Sequence, residues 1–222
     1  MDLGAYYLPK KGEDAHFIFA EEQTIGVVDG VGSWASKGVD AGEYSRELMR
    51  NSEKAIHNHQ KSGQEINPIK VLEEAYINTK HIKLGSSTAC IMTLKNTKHG
   101  SVRSSAKATL HVANIGDSGF MVFRKNHNSS YELRGNGKRS DDPDLADEIE
   151  IIDLIEAEDV IVVATDGLFD NVFPYEIGYI MNHRDFKTEK PEELAERIGR
   201  FAAYKSKDKH CDSPFASVAY KS

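Results

Sequence analysis

The chain's apolar residues fall into short β-branched runs and two kinds of longer 3.6-periodic stretch. Residues 17–20 and 24–28 read as two strands joined by the polar turn Glu21-Glu22-Gln23. Residues 29–37 form a Gly/Ser loop that carries the only tryptophan, Trp34. A helix is expected from about 40 to 59, with Ala41, Tyr44, Leu48, Ala55 and Ile56 on one stripe. Asn67-Pro68 then supplies a cap and a first-turn proline for a second helix bearing Ile69, Leu72, Ala75, Tyr76 and Ile82.

From Ser86 onward the period changes to that of strands. Residues 87–94, 108–115, 120–124, 131–133, 149–154 and 160–164 are β-branched or aromatic runs. Polar loops at 95–107 and 134–147 separate them. Two helices close the chain, 174–182 and 191–204, each opened by a proline. Strands and helices do not alternate, which argues against a doubly wound sheet. The expected fold class is α+β: a β-sandwich of two antiparallel sheets flanked by helices, with residues 1–222 as a single domain.

Composition narrows the partners. A net charge of −7 and a pI near 5.7 give no broad attraction to nucleic acid or to an anionic membrane, so neither is expected as a partner. No apolar stretch is long enough to span a bilayer, and no secretory signal opens the chain. Cys90 lies in an apolar run and Cys211 in a charged tail, so no disulfide framework is implied. The expectation is an intracellular monomer. Its compartment is the cytoplasm or, if a leading transit segment is missing from this sequence, a mitochondrion or plastid.

The chemistry is carried by acidic residues. Val27-Val28-Asp29-Gly30 and Val162-Val163-Ala164-Thr165-Asp166-Gly167 share one form, an apolar run that ends in Asp-Gly. Such pairs usually mark plain turns. Here neither pair leads straight into a paired strand, and each run is apolar enough for a central buried strand. Both carboxylates should therefore project from a sheet edge. Carboxylates gathered there repel one another unless divalent cations sit between them, and hard cations take oxygen ligands. Asp29 is the candidate bridging ligand, Gly30 a carbonyl ligand, and Asp166 a ligand from the other strand. Glu13 and Asp14 are candidates for orienting the waters around the ions. No side chain is nominated as nucleophile; an activated water takes that part.

These residues, with others, carry a resemblance. Gly-Glu-Asp-Ala at 12–15, Val-Asp-Gly-Val-Gly at 28–32, Gly-Ser-Ser-Thr-Ala at 85–89, Asn-Ile-Gly-Asp-Ser-Gly at 114–119 and Thr-Asp-Gly-Leu-Phe-Asp-Asn at 165–171 occur in that order. Together they resemble the metal-dependent protein serine/threonine phosphatases of type 2C, the PPM family. Gly-Val-Gly-Ser-Trp and Ala41-Gly42-Glu43-Tyr44-Ser45 are most similar to the plant and organellar branch. The resemblance covers nearly the whole chain. It implies two Mg²⁺ or Mn²⁺ ions at one end of the sandwich and a phosphoprotein substrate. It also implies a weaker third ion, which Asp117 and Asp170 would help Asp166 to hold.

The chain departs from the family pattern at three places. Val31 replaces a His that follows Asp-Gly in better-studied relatives. Pro9 stands where they carry a phosphate-binding Arg, with Lys10 and Lys11 as the nearby cations. The segment Ser213 to Ser222 matches what precedes a terminal Asp-bearing strand in relatives, so the terminal metal-binding segment is expected to be absent. The leading expectation is a phosphatase that hydrolyses phosphoserine and phosphothreonine with a two-metal-activated water. The alternative is a catalytically impaired phosphatase-like domain that binds a phosphoprotein or a regulatory partner.

Overall fold

In the computed structural model, residues 1–9, 12–96, 108–127, 130–138, 147–183, 189–208 and 210–219 are described. Strands β1 (Asp14–Phe19), β2 (Thr24–Asp29), β3 (Ala89–Asn96), β4 (Ala108–Ile115) and β7 (Asp147–Ile155) form one antiparallel sheet in the order β1-β2-β3-β4-β7. Strands β5 (Gly119–Lys125), β6 (Tyr131–Lys138) and β8 (Val160–Ala164) form a second sheet in the order β6-β5-β8. The expected α+β sandwich of antiparallel sheets with flanking helices is what forms.

Three apolar layers hold it together. Between the sheets, Cys90, Met92, Leu110, Val112, Phe120 and Val122 are buried, with Ile25, Val27, Ile161 and Val163 packed against them. Helices α1 (Ala41–Lys61) and α2 (Pro68–Thr79) cover the outer face of the larger sheet. There Leu48, Ile56, Val71 and Leu72 meet Phe17, Val28, Ile91 and Ala113. Helices α3 (Asp166–Phe169), α4 (Pro174–Asn182) and α5 (Pro191–Lys205) back the smaller sheet through Phe169, Ile177, Leu194 and Ile198. A sheet packed on both faces needs apolar residues at successive positions, which is why β2 and β8 read as continuous runs.

The helix signals act as the sequence implied. Asp40 accepts from the Gly42 N–H at 2.9 Å, and Asn67 accepts from Ile69 and Lys70. Caps of this kind stabilise a helix by about 1 kcal/mol. Pro68, Pro174 and Pro191 occupy first turns, where a missing N–H costs nothing.

Several expectations need correction. β1 begins at Asp14, three residues before the expected start, because Asp14 and Ala15 pair with Asp29 and Val28. The 29–37 loop contains a 3-10 turn, Gly32–Lys37. α2 ends at Thr79, so Ile82 lies outside it; Tyr76 is 53% exposed, and Val71 and Thr79 take the inner face instead. Residues 86–88 make only an isolated bridge, Gly30 to Ser87, before β3 starts. β6 continues past Leu133 to Lys138, into part of the stretch expected as a loop. β8 ends the order of its sheet and its five residues are half-exposed, where a central buried strand was expected. The short helices α3 and α6 (Pro214–Ala219) had no signal in the apolar pattern. The lysines at 10 and 11 and the core of the expected 95–107 and 134–147 loops lie outside the described residues, as does any segment after Ala219. Among the described residues no helix is long and apolar enough to cross a membrane.

Candidate metal centre

The centre is built from two strand ends and one helix start. Asp14 opens β1 and stands directly opposite Asp29, the last residue of β2. Residues facing each other across an antiparallel pair project to the same side of the sheet, so the two carboxyl groups are neighbours by register alone. Asp166 arrives from the other sheet, as the first residue of α3 just after β8. The Asp29 carboxyl lies close enough to those of Asp14 and Asp166 for both to act on it. Residues 137 positions apart in the chain thus meet at one rim, because the two sheets converge there.

The cost of that meeting shows in the electrostatics. Burial, then the Asp14 and Asp166 charges, push the Asp29 carboxyl up to about 8 from its ordinary 3.8. Asp14 is also raised, chiefly by burial and further by the charges of Asp166 and Glu13, while its hydrogen bond with Asp29 opposes the rise. A proton on Asp29 or a cation at the rim relieves this crowding. Among the described residues no three His, Cys, Asp or Glu side chains already surround one point as a preset cage.

The surroundings fix Asp29 firmly. Its N–H donates to the Thr88 hydroxyl at 3.1 Å, and its carbonyl accepts from the Thr88 N–H at 2.8 Å. Gly30 donates to the Glu13 carbonyl at 3.0 Å. A side chain at Gly30 would strike the carbonyls of Ala41 and Glu13, so only glycine allows this approach. No donor among the described residues reaches the Gly30 carbonyl, which leaves it free to accept a cation. Glu13 turns its carboxylate toward Gly32, at 3.2 and 3.3 Å from where a side chain there would begin.

A cleft of about 1380 Å³ opens on this rim, and Glu13, Asp14, Asp29, Gly30, Asp117 and Asp166 line it. Asp117 sits in the turn between β4 and β5. Asp170 follows α3 and is not among the lining residues; its N–H donates to the Asp166 carbonyl and its carbonyl accepts from Phe215. Oxygen donors alone, mutually repelling and with one open carbonyl, suit a hard divalent cation.

Sequence reasoning undervalued some neighbours. Ser86 and Thr88 read as plain strand residues, yet Thr88 braces Asp29 and also bonds Ser118. Ser86 ties down Val31 through its carbonyl and Trp34 through its hydroxyl. The only hint was their place after Gly85 inside a shared motif. Tyr7 was not singled out at all. It lines the same cleft, and its hydroxyl is held protonated chiefly by burial, with Asp14 adding to the effect and Arg46 opposing it.

Known protein phosphatases share this arrangement of two antiparallel sheets with helices outside. The chain is 41% identical to probable protein phosphatase 2C 55 of Arabidopsis thaliana, over 97% of this chain and 46% of that protein. It is 35% identical to the human protein phosphatase PTC7 homolog, over 94% of this chain and 72% of that protein. Among solved structures, the photosystem II phosphatase PBCP matches with a TM-score of 0.74 and 26% identity, over 95% of this chain and 80% of that one. A PPM Ser-Thr phosphatase of Mycobacterium smegmatis shares the fold at a TM-score of 0.53 and 13% identity, over 92% and 90% of the two chains. No family model matches. The chain belongs to the type 2C protein phosphatases. It spans about half the length of probable protein phosphatase 2C 55 and of a second Arabidopsis thaliana relative, probable protein phosphatase 2C 80 (46% and 52%).

Proposed function

We propose that this chain forms one catalytic domain that hydrolyses phosphoserine and phosphothreonine in proteins, using two Mg²⁺ or Mn²⁺ ions held at the rim where Asp14, Asp29 and Asp166 meet. The convergence of those three carboxyls from two sheets carries the reading. Family membership supports the reaction class, and a preserved acidic hub favours turnover over the binding-only alternative.

When bound, such ions act as Lewis acids that activate water and offset charge on the transferring phosphoryl group. The chain's own part is to hold and orient. Asp29 would bridge, since it lies beside Asp14 in register and both Asp14 and Asp166 act on it. The Gly30 carbonyl and Asp166 would complete the ligands, and Glu13 and Asp14 would orient coordinated waters. Asp117 and Asp170 would assist Asp166 with a weaker third ion. Thr88 holds the Asp29 backbone through two hydrogen bonds and would keep it in place for such ions. Val31, 39% exposed beside this rim, can neither give nor take a proton. No side chain near Asp29 is required as a covalent nucleophile.

The test is phosphate release from a phosphoserine peptide with Mn²⁺ present, then with chelator. Release that chelator abolishes is expected. Tight peptide binding with no release at any Mn²⁺ concentration would overturn the catalytic reading in favour of a binding domain.

A further inference from the structure

The stretch Ala41 to Ser45 marks the resemblance to one branch of the family, and Arg46 follows it directly. In the structure it is the first turn of α1, and it grips the loop that precedes Asp14. The Arg46 guanidinium donates to the Gly12 carbonyl at 2.7 Å through Nη1 and to Asp40 Oδ2 at 2.6 Å through Nη2. Asp40 uses its other oxygen to cap the helix, so the fork is anchored to α1 itself. Ser45 Oγ donates to the Glu13 carbonyl, the same oxygen that accepts from Gly30. Gly42 is required here: a side chain would strike both the Gly12 carbonyl and the Arg46 fork. Two consecutive carbonyls, at 12 and 13, are therefore tied to α1 just before Asp14.

We propose that the first turn of α1 is a clamp, with Arg46 and Ser45 as positioning residues that hold the Glu13–Asp14 pair against Asp29. The need for a clamp follows from the fold. β1 is the outermost strand of its sheet and Asp14 is its first residue, the place where a ladder frays. Two carboxyl groups are crowded against each other there, Asp14 opposite Asp29, which opposes the pairing of this strand end. Gly12, at φ +76°, adopts a left-handed conformation two residues before the strand begins. Tying the carbonyls, and not the carboxylates, holds the backbone while leaving the acidic oxygens free. The plainer role of an exposed Arg46–Asp40 ion pair contributes little, since both side chains are about half exposed. It also gives no reason for the bond to Gly12.

The consequence for metal rests on the proposed function, whereas the clamp itself does not, and two measurements separate them. In metal-free protein, Arg46→Ala should speed hydrogen exchange of the Gly30 amide about tenfold, as loss of a charged hydrogen bond would. Amides of β3 and β4 should keep their rates. Calorimetric Mn²⁺ affinity should fall about tenfold, the usual effect of losing a group that orients ligands. Arg46→Lys, which keeps a donor for Gly12, should recover most of both. A wild-type Gly30 rate in Arg46→Ala overturns the clamp, as does an equal acceleration of every amide. Faster Gly30 exchange with unchanged Mn²⁺ affinity overturns the link to the acidic pair. If wild-type protein takes up no Mn²⁺ while Gly30 still responds, the metal reading fails and the clamp stands.

Discussion

β2 and β8 look alike as sequence, each an apolar run closed by Asp-Gly, yet they reach the rim in different ways. β2 lies inside a five-stranded sheet and is paired on both sides; β8 ends a three-stranded one and is paired only with β5. Asp29 stays in strand geometry, held through its N–H and carbonyl by Thr88, whereas Asp166 starts a single helical turn whose N-cap, Thr165, makes no side-chain cap bond. Gly30 is wedged between two backbone carbonyls, while a side chain at Gly167 would meet only the Thr165 hydroxyl at 3.6 Å, an ordinary contact. One local signal therefore serves a fixed hub and a looser arm. Neighbours remote in sequence make the difference.

The strongest way to break this contrast is to remove the two carboxylates in turn. Asp29→Asn should cut Mn²⁺-dependent peptide dephosphorylation by more than about a hundredfold, beyond the loss usual for groups that only orient ligands. Asp166→Asn should cost less, since Asp166 sits on an arm without the backbone bracing that Thr88 gives Asp29. Steady-state kcat/KM at saturating Mn²⁺ measures both. Equal losses would make hub and arm equivalent.

The glycines sharpen the same point through stability. Gly30→Ala forces a methyl group into the Ala41 and Glu13 carbonyls and should destabilise the protein by about 3 kcal/mol, the upper end for overpacked sites. Gly167→Ala places alanine inside a helical turn with room for it and should stabilise by up to about 1 kcal/mol. Urea unfolding of both variants decides. A tolerated Gly30→Ala would mean that α1 and the rim are less closely packed than described.

How much of this was legible beforehand depended on what each signal encodes. Period and capping located β4, β8 and α4 to the residue, because apolar spacing and a first-turn proline are local facts. The Asp29 and Asp166 pair was legible for a similar reason: each closes a run that has to be buried on two faces. Pairing was not legible. Asp14 looked like a loop residue, since its strand character comes only from its register with Asp29. β8 looked central, because burial between two layers and pairing on two edges both call for apolar residues, and only the first holds here. Thr88 and Arg46 act on backbone atoms far away in the chain, and no spacing rule announces such a bond.

The smallest expected effect is also the most direct test of the hub. In the folded, metal-free protein the Asp29 carboxyl keeps its proton up to about pH 8, whereas unfolding returns it to an ordinary carboxyl near 3.8. Between those values the folded state binds the extra proton, so this contribution to stability is complete below about pH 4 and is lost as pH rises through 8. Solvent around a half-exposed cluster screens the repulsion to about 1 kcal/mol. For a chain of this size that corresponds to a fall of about 2–4 °C in melting temperature from pH 5 to pH 9 in chelator. Mn²⁺ should flatten the slope by standing in for the proton. Asp29→Asn should remove most of the slope, leaving the part carried by the raised Asp14, and Asp166→Asn should reduce it less, because burial and Asp14 act on Asp29 more strongly than Asp166 does. A metal-free melting temperature that rises with pH across this range would contradict a carboxyl crowded by like charges, and with it the distinction between hub and arm.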